Sequence, residues 1–185
     1  MKILAFAASL RRDSWNKKLL ALAAGLAREA GAEIDLAEFR EFEMPLYDGD
    51  RQASSGIPPG AQELGRRIAA ADGVVLASPE YNFSVPGTIK NAIDWVSRIR
   101  PLPTRGKTGF LLSASPGQVG GIRGLWQLRI PLEGLGMLVY PDMYTLPFAE
   151  KAFDERGQLT EPERLDRLRK MMEGYLQMTR KLVGS

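Results

Sequence analysis

Residues 8–16 carry several side chains that can bind an anion. They comprise two serines, one asparagine and two neighbouring arginines, either of which could supply the charge: Ser9, Ser14, Asn16, Arg11 and Arg12. The segment follows a short apolar run and precedes a helical pattern, so we expect it at a helix N-terminus, where unpaired N–H groups attract anions. Neutral donors with a guanidinium suit a terminal phosphate bound without metal. The alternative is that Ser14 only caps the helix.

Residues 78–87 and 113–121 are two further loops that could contact a ligand. The first holds Tyr81, Asn82 and Phe83 between prolines, which makes it a stiff loop with amide and aromatic groups for a flat ligand. Its alternative is a tight turn that packs these aromatic residues into the core. The second contains three glycines, which let a backbone approach a ligand closely, and its alternative is a flexible loop.

Short apolar runs alternate with helical patterns along the chain. Five runs predict strands, at residues 2–8, 32–37, 74–78, 107–113 and 137–140. Helical spacing predicts helices at residues 19–30, 61–71, 88–97 and 122–135, and a last helix that Thr160 caps and in which Pro162 occupies the first turn. Residues 43–60 are rich in proline and glycine, which predicts a long surface loop.

This alternation predicts an α/β fold in a single domain, residues 1–185. We expect a doubly wound, five-stranded parallel sheet of order 2-1-3-4-5 with helices on both faces. In such sheets ligands bind at the carboxyl ends of the strands, where the strand order reverses. The three loops follow strands one, three and four, so we expect them to meet at that edge.

The composition excludes several kinds of site. The 185 residues include 25 Lys plus Arg and 22 Asp plus Glu, but neither Cys nor His. A disulfide, a Ser-His-Asp triad and a Cys- or His-ligated metal are therefore impossible, and we predict no metal, although an all-carboxylate cation site stays possible. The basic residues form only local clusters, which disfavours nucleic acid as a partner. No apolar run suits a signal peptide or a membrane span, which predicts a cytoplasmic protein.

Two motifs resemble a known family. The first is Ser9-Leu-Arg-x-x-Ser-x-Asn16, and the second, longer one is Pro79-Glu-Tyr-Asn-x-Ser-x-Pro-Gly-x-x-Lys-Asn-Ala-Ile-Asp-Trp95. Together they are similar to the NADPH-dependent FMN reductase family, flavodoxin-like proteins that include flavin, quinone, azo-compound and chromate reductases. The resemblance covers about the whole chain in element order, and it departs from many relatives at Ala8, where they have Gly.

The resemblance implies a set of cofactor-binding residues. The FMN phosphate would lie against Ser9, Arg11, Ser14 and Asn16. The wall beside the isoalloxazine ring would be Pro79, Glu80, Tyr81 and Asn82, and a third wall would be Ser113, Ser115, Gly117 and Gly120. The helical part of the second motif would support a loop and a subunit interface, since such relatives are typically homodimers or homotetramers.

The resemblance further implies an oxidoreductase that uses FMN with NADPH or NADH as co-substrate. Hydride would pass to FMN, and two electrons would then pass to a small-molecule acceptor (a quinone, flavin, azo compound or metal oxyanion) in a ping-pong scheme. No side chain is assigned as an acid or base. Two alternatives stay open: an FMN-binding electron carrier, and an interaction protein that has kept the fold. The motifs leave open the acceptor, the preferred nicotinamide, dimer against tetramer, and whether residues 43–60 cover the site.

Overall fold

The fold is built on one parallel sheet, and its strand order confirms the predicted order 2-1-3-4-5. The structure is a computed structural model that describes residues 1–184. Its strands are β1 Lys2–Ala7, β2 Glu33–Ala37, β3 Gly73–Ala77, β4 Thr108–Ala114, β5 Leu138–Val139 and β6 Tyr144–Leu146. They are ordered β2-β1-β3-β4-β5, and β6 also pairs with β4 in parallel.

Helices join the strands. They are α1 Trp15–Glu29, α2 Gly49–Ser55, α3 Pro59–Ala70, α4 Gly87–Val96, α5 Ile122–Gly134, α6 Ala149–Ala152 and α7 Pro162–Val183, with a 3₁₀ turn at Phe39–Phe42. Each of the first four strand-to-strand connections includes at least one helix, as parallel pairing requires.

Two apolar cores confirm that helices cover both faces of the sheet. Alternate residues of β1 point to opposite sides: Ile3 and Ala5 pack with residues of α1 and α7, whereas Leu4 and Phe6 pack with residues of α3, α4 and α5. Because β1 is buried on both faces, its sequence is continuously apolar rather than alternating.

The predicted loop at residues 43–60 is wrong in part. It contains α2, whose first turn is capped by the Asp48 side chain accepting from the N–H of Asp50 at 2.9 Å, and the first residues of α3, which begins at Pro59. No residue of α2 is buried, so the helix lacks the apolar periodicity that would have revealed it.

Two other predictions need correction. The strand predicted at residues 137–140 is only Leu138–Val139, and after Pro141 the chain returns to β4 as an unpredicted strand, β6. Thr160 does not cap the last helix: Glu161 is at the N-cap, and the Thr160 hydroxyl instead donates to the carbonyl of Ala152 at 3.4 Å. Pro162 does occupy the first helical position, as predicted.

Within residues 1–184, no helix is long and apolar enough to cross a membrane. The same residues contain no group of three or more Asp or Glu side chains placed to hold a metal ion.

Candidate functional site

The three loops predicted to bind a ligand meet at one edge of the sheet. Strand β1 pairs with β3, and β3 pairs with β4, each in parallel. Ala7 lies opposite Ala77, and Ala77 lies opposite Leu112, so the three strands end at almost the same level. The loops that follow them are therefore neighbours, at the point where the strand order reverses.

The first loop presents hydroxyl groups and a cation beside the start of α1. Ser9 and Ser14 are buried, and Arg11 is exposed, with its guanidinium 5.5 Å from the centre of the Trp15 ring. Ser14 is at the N-cap but its side chain makes no capping hydrogen bond. The alternative in which Ser14 only caps the helix is therefore wrong, and its hydroxyl is available to a ligand.

The charges around this loop favour an anion. The first turn of α1 has no acidic residue, so its positive dipole end is not neutralised. Lys17 forms an ion pair with Glu38 at 2.5 Å, and Arg40 donates to the carbonyl of Leu10 at 3.0 Å. Arg11 has no carboxylate partner among the described residues, which leaves its guanidinium for a ligand.

Asn16 links the first loop to the third. Its side-chain nitrogen donates to the carbonyl of Ala114 at 2.9 Å, and its side-chain oxygen accepts from the N–H of Ala114 at 3.0 Å. Asn16 is buried, so these bonds fasten the start of α1 to the end of β4. A direct contact between Asn16 and a phosphate stays a prediction.

The second loop forms a two-residue turn. Tyr81 and Ser84 exchange two backbone hydrogen bonds of 3.0 Å, and the residues between them, Asn82 and Phe83, both have positive φ, 49° and 65°. Tyr81, Asn82 and Phe83 are exposed, whereas Pro79 is buried. The alternative of core aromatics is therefore wrong, since Tyr81 and Phe83 face solvent and can contact a ligand.

Glu80 points away from solvent, into α5. One carboxylate oxygen accepts from the N–H groups of Arg123 and Gly124 at 3.1 and 3.3 Å, and the other accepts from the Arg123 guanidinium at 2.8 and 2.6 Å. Glu80 therefore supplies the anion that the N-terminus of α5 attracts. Sequence reasoning alone does not find Arg123, since nothing local in the chain relates it to a residue 43 positions earlier.

The third loop packs closely against the start of α5. Ser113 is the penultimate residue of β4 and is wholly buried, and its hydroxyl has no hydrogen-bond partner among the described residues. A side chain at Gly121 would collide with that hydroxyl. Beyond Ser113, the Ser115 hydroxyl accepts from the N–H of Gly117 at 3.1 Å, and the positive φ of Gly120, 63°, turns the chain toward α5. Contacts of these residues with a cofactor stay predictions.

Helix α4 holds part of the segment at residues 43–60. The Asn91 side chain accepts from the N–H of Tyr47 at 2.8 Å and donates to the carbonyl of Pro45 at 2.9 Å. The indole N–H of Trp95 donates to the same carbonyl at 2.8 Å. The asparagine and tryptophan of the second motif thus fix this segment.

Comparison with known proteins identifies the family. The model of the NADPH-dependent FMN reductase family matches residues 1–151. The chain belongs to the NADPH-dependent FMN reductase family. An NAD(P)H-dependent FMN reductase of Pseudomonas aeruginosa is 36% identical, over 100% of this chain and 98% of that protein. A quinone reductase of Escherichia coli is 34% identical, over 91% of this chain and 89% of that protein.

Solved structures agree with the family. The flavoenzyme NAD(P)H:(acceptor) oxidoreductase FerB from Paracoccus denitrificans has a TM-score of 0.83 and 29% identity, covering 97% of each chain. An oxidised flavodoxin from Bacillus cereus has a TM-score of 0.62 at 14% identity and covers 96% of this chain and 98% of that one, so it shows the flavodoxin-like fold alone.

Membership in the FMN reductase family confirms the expectation of an oxidoreductase with FMN as cofactor and a reduced nicotinamide as co-substrate. The residues present fit this cofactor. The non-capping hydroxyl of Ser14, the unneutralised start of α1 and the free guanidinium of Arg11 suit its phosphate. The exposed Tyr81 and Asn82, on a turn fixed by backbone bonds, suit the edge of a flat ring.

Proposed function

We propose that this chain is an NAD(P)H:quinone oxidoreductase that works by a ping-pong mechanism. FMN, when bound, would supply the redox chemistry, which is acceptance of a hydride from the nicotinamide and release of two electrons to the acceptor. The balanced reaction is NAD(P)H plus a proton plus a quinone, giving NAD(P)⁺ plus a hydroquinone. The observation that carries the proposal is the meeting of a hydroxyl-rich helix start and an exposed aromatic turn at one edge of the sheet.

The chain's own residues have binding and orienting roles in this proposal. Ser9, Ser14 and Arg11 hold the phosphate, and Tyr81 and Asn82 form a wall beside the ring. Backbone N–H groups of the third loop stabilise negative charge on the ring edge, which needs donors fixed in advance. No side chain acts as acid or base, since water can supply the protons.

A quinone is the acceptor that we favour among flat oxidants. The curated relatives include quinone reductases from bacteria and plants at 30–34% identity. A free flavin, an azo compound and a metal oxyanion are the other acceptors to compare with it. The proposal places the activity in a single domain, since all three loops follow strands of one sheet. It places the protein in the cytoplasm, where NAD(P)H is supplied.

The test is a spectrum of the protein loaded with FMN, desalted and mixed anaerobically with NADPH or with NADH. We expect the flavin absorbance to bleach, and to return when a quinone is added. The rates of bleaching with NADPH and with NADH show which reductant is faster. Double-reciprocal plots of rate against both substrates should be parallel, whereas intersecting lines would indicate a ternary complex. Flavin that stays oxidised would favour an electron carrier, and failure to bind FMN would favour an interaction protein.

We also propose that the chain is a homodimer or homotetramer. Trp126 and Ile130 are four residues apart on α5, so they share one face, and they are 56% and 71% exposed. Phe83, whose ring centre lies 4.5 Å from the guanidinium of Arg123 on the same helix, is 66% exposed. Light scattering should give a mass of two or four chains, and Trp126→Glu should lower it. Val183→Glu, at an exposed position of α7, is the control that should leave the mass unchanged.

A further inference from the structure

The turn at residues 81–84 has an unfavourable sequence for its backbone shape. Both central residues have positive φ, as in the type I′ turns that close two-residue hairpins. Asparagine accepts this conformation readily because its short side chain bonds locally, but a phenylalanine with φ of 65° is a strained position. The favoured pair for such a turn is Asn-Gly, whereas this chain has Asn82-Phe83. The surrounding structure must therefore hold the turn.

Helix α5 provides the groups that hold it. The Arg123 guanidinium lies 4.5 Å from the centre of the Phe83 ring while it pairs with Glu80, so it contacts the chain on both sides of Tyr81 and Asn82. The side chain of Gln127, one helical turn later, donates to the carbonyl of Phe83 at 2.9 Å and accepts from the Ser84 hydroxyl at 2.5 Å.

The backbone of α5 also approaches the turn closely. A side chain at Gly124 would lie 3.2 Å from the Cα of Glu80 and 3.2 Å from the carbonyl oxygen of Ser84. The first two turns of α5 therefore form a rigid template for residues 80–84. None of the contacts made by Arg123 or Gln127 uses the side chains of Tyr81 and Asn82, which are exposed.

We propose that Arg123 is a positioning residue of the FMN site, with Gln127 as its partner. Arg123 keeps the Tyr81–Ser84 turn in its strained conformation before the cofactor arrives, so that Tyr81 and Asn82 are presented in a fixed geometry. Its planar fork is essential, because it pairs with Glu80 in two places while its face stacks on Phe83. The inference rests on the proposed function for the identity of the ligand, but its effect on the turn does not require FMN.

The first test therefore uses the chain without added FMN. Hydrogen exchange reports the amides of Tyr81 and Ser84, which are bonded to each other's carbonyls across the turn. Arg123→Ala should speed exchange of these two amides at least about tenfold, whereas Arg66→Ala should not change them. Arg66 is a matched control, since it loses a similar two-point pair with Glu63 on α3, away from the turn.

A rescue experiment distinguishes release of the backbone strain in the turn from a general loss of folding. Phe83→Gly creates Asn-Gly, the pair that adopts this turn unaided. In the Arg123→Ala background, Phe83→Gly should return most of the lost protection at Tyr81 and Ser84. If Arg123→Ala leaves both amides protected, or if the glycine does not restore them, the proposed role is wrong.

The second test measures FMN affinity by titration and the rate of anaerobic bleaching by NADPH. We expect Arg123→Ala to weaken FMN binding about tenfold or more, and Gln127→Ala to weaken it less. Arg123→Lys should fall between Ala and the native residue, since it keeps the charge but loses the fork and the stack. If all three variants bind FMN with the native affinity, the inference is overturned, even if NADPH bleaches the flavin bound to the native protein. A native protein that binds no FMN would contradict the proposed function while leaving the exchange result to decide the role of Arg123.

Discussion

The side chain of Asn16 and the backbone of Ala114 exchange two hydrogen bonds, of 2.9 and 3.0 Å, across 98 positions of sequence. The pair joins the loop that begins α1 to the strand that precedes the third loop. An amide is well suited to this role because it offers one donor and one acceptor side by side, which matches a backbone N–H and C=O. The first and third loops are therefore fastened together by a residue whose own side chain is buried.

Asn16→Ala should destabilise the fold. It leaves the N–H and the carbonyl of Ala114 buried without partners, and each such group costs about 1–3 kcal/mol. We expect urea unfolding to show a loss in that range or above. Gln158→Ala removes an amide from an exposed position and should change stability by no more than about 0.5 kcal/mol. An Asn16→Ala protein as stable as the control would show that the pair contributes nothing.

Ser14→Ala should separate ligand binding from folding. Its hydroxyl makes no capping bond, so we expect little change in the urea midpoint, but a weaker affinity for FMN. Arg11→Ala should weaken binding more, because a lost hydrogen bond to a charged group costs about 1.5–3 kcal/mol. Arg12→Ala, the neighbouring arginine, is the comparison. Calorimetry that finds the native FMN affinity in both Ser14→Ala and Arg11→Ala would remove the phosphate assignment.

Two glycine-to-alanine substitutions in helices should differ in their effects on FMN affinity and on stability. Gly124→Ala presses a methyl against Glu80 and Ser84, so it should displace the second loop and lower FMN affinity. Gly25→Ala, in α1, meets no atom within 4 Å and should stabilise the protein by about 1 kcal/mol without affecting FMN. Titration and thermal unfolding of both variants give the comparison. Equal FMN affinity in the two proteins would mean that α5 does not shape the loop.

Asn91→Ala should release the segment before α2. The variant loses the bonds to Tyr47 and to the carbonyl of Pro45, and only the Trp95 indole still holds that carbonyl. We expect faster trypsin cleavage at Arg51, in α2, than in the native protein. If cleavage is faster while the bleaching rate with NADPH is unchanged, the segment does not cover the site. An unchanged cleavage rate would contradict the structural role given to Asn91.

Stability should fall at alkaline pH through Tyr175. Burial raises the pKa of this phenol above its ordinary value, and the hydrogen bond that it accepts from Thr108 opposes that effect only in part. Below about pH 10 the phenol is protonated in the folded and unfolded states, so it adds no pH dependence. Above that pH only the unfolded state ionises, and unfolding should become easier by up to about 1.4 kcal/mol per pH unit.

Tyr175→Phe tests this directly, since it cannot ionise. Urea unfolding between pH 9 and 11 should show a shallower loss of stability in the variant. Burial also raises the pKa of Tyr144, so part of the slope should remain. Identical slopes in the two proteins would exclude Tyr175 as a source of the alkaline instability.

The sequence by itself determined the strand order, the helices that cover the sheet and the family. These follow from local information: apolar runs of strand length, helical periodicity, and motifs whose residues are close in sequence, such as Pro79–Trp95. It also located the three loops correctly at one edge, because a doubly wound sheet leaves little choice of topology. Which residues of these loops bind FMN stays a prediction.

Only the tertiary structure decided how those loops are held. The sequence places Glu80 beside the flavin ring as a prediction, and the structure adds that its carboxylate is bound by α5. The sequence likewise predicts that Asn16 contacts the phosphate, and the structure adds that both of its polar side-chain atoms pair with Ala114. Each partner lies many residues away and is brought near only when β1, β3 and β4 align. Residue type shows that a polar group needs a partner, but the partner is set by which chain segments the packed sheet brings within about 3 Å of it.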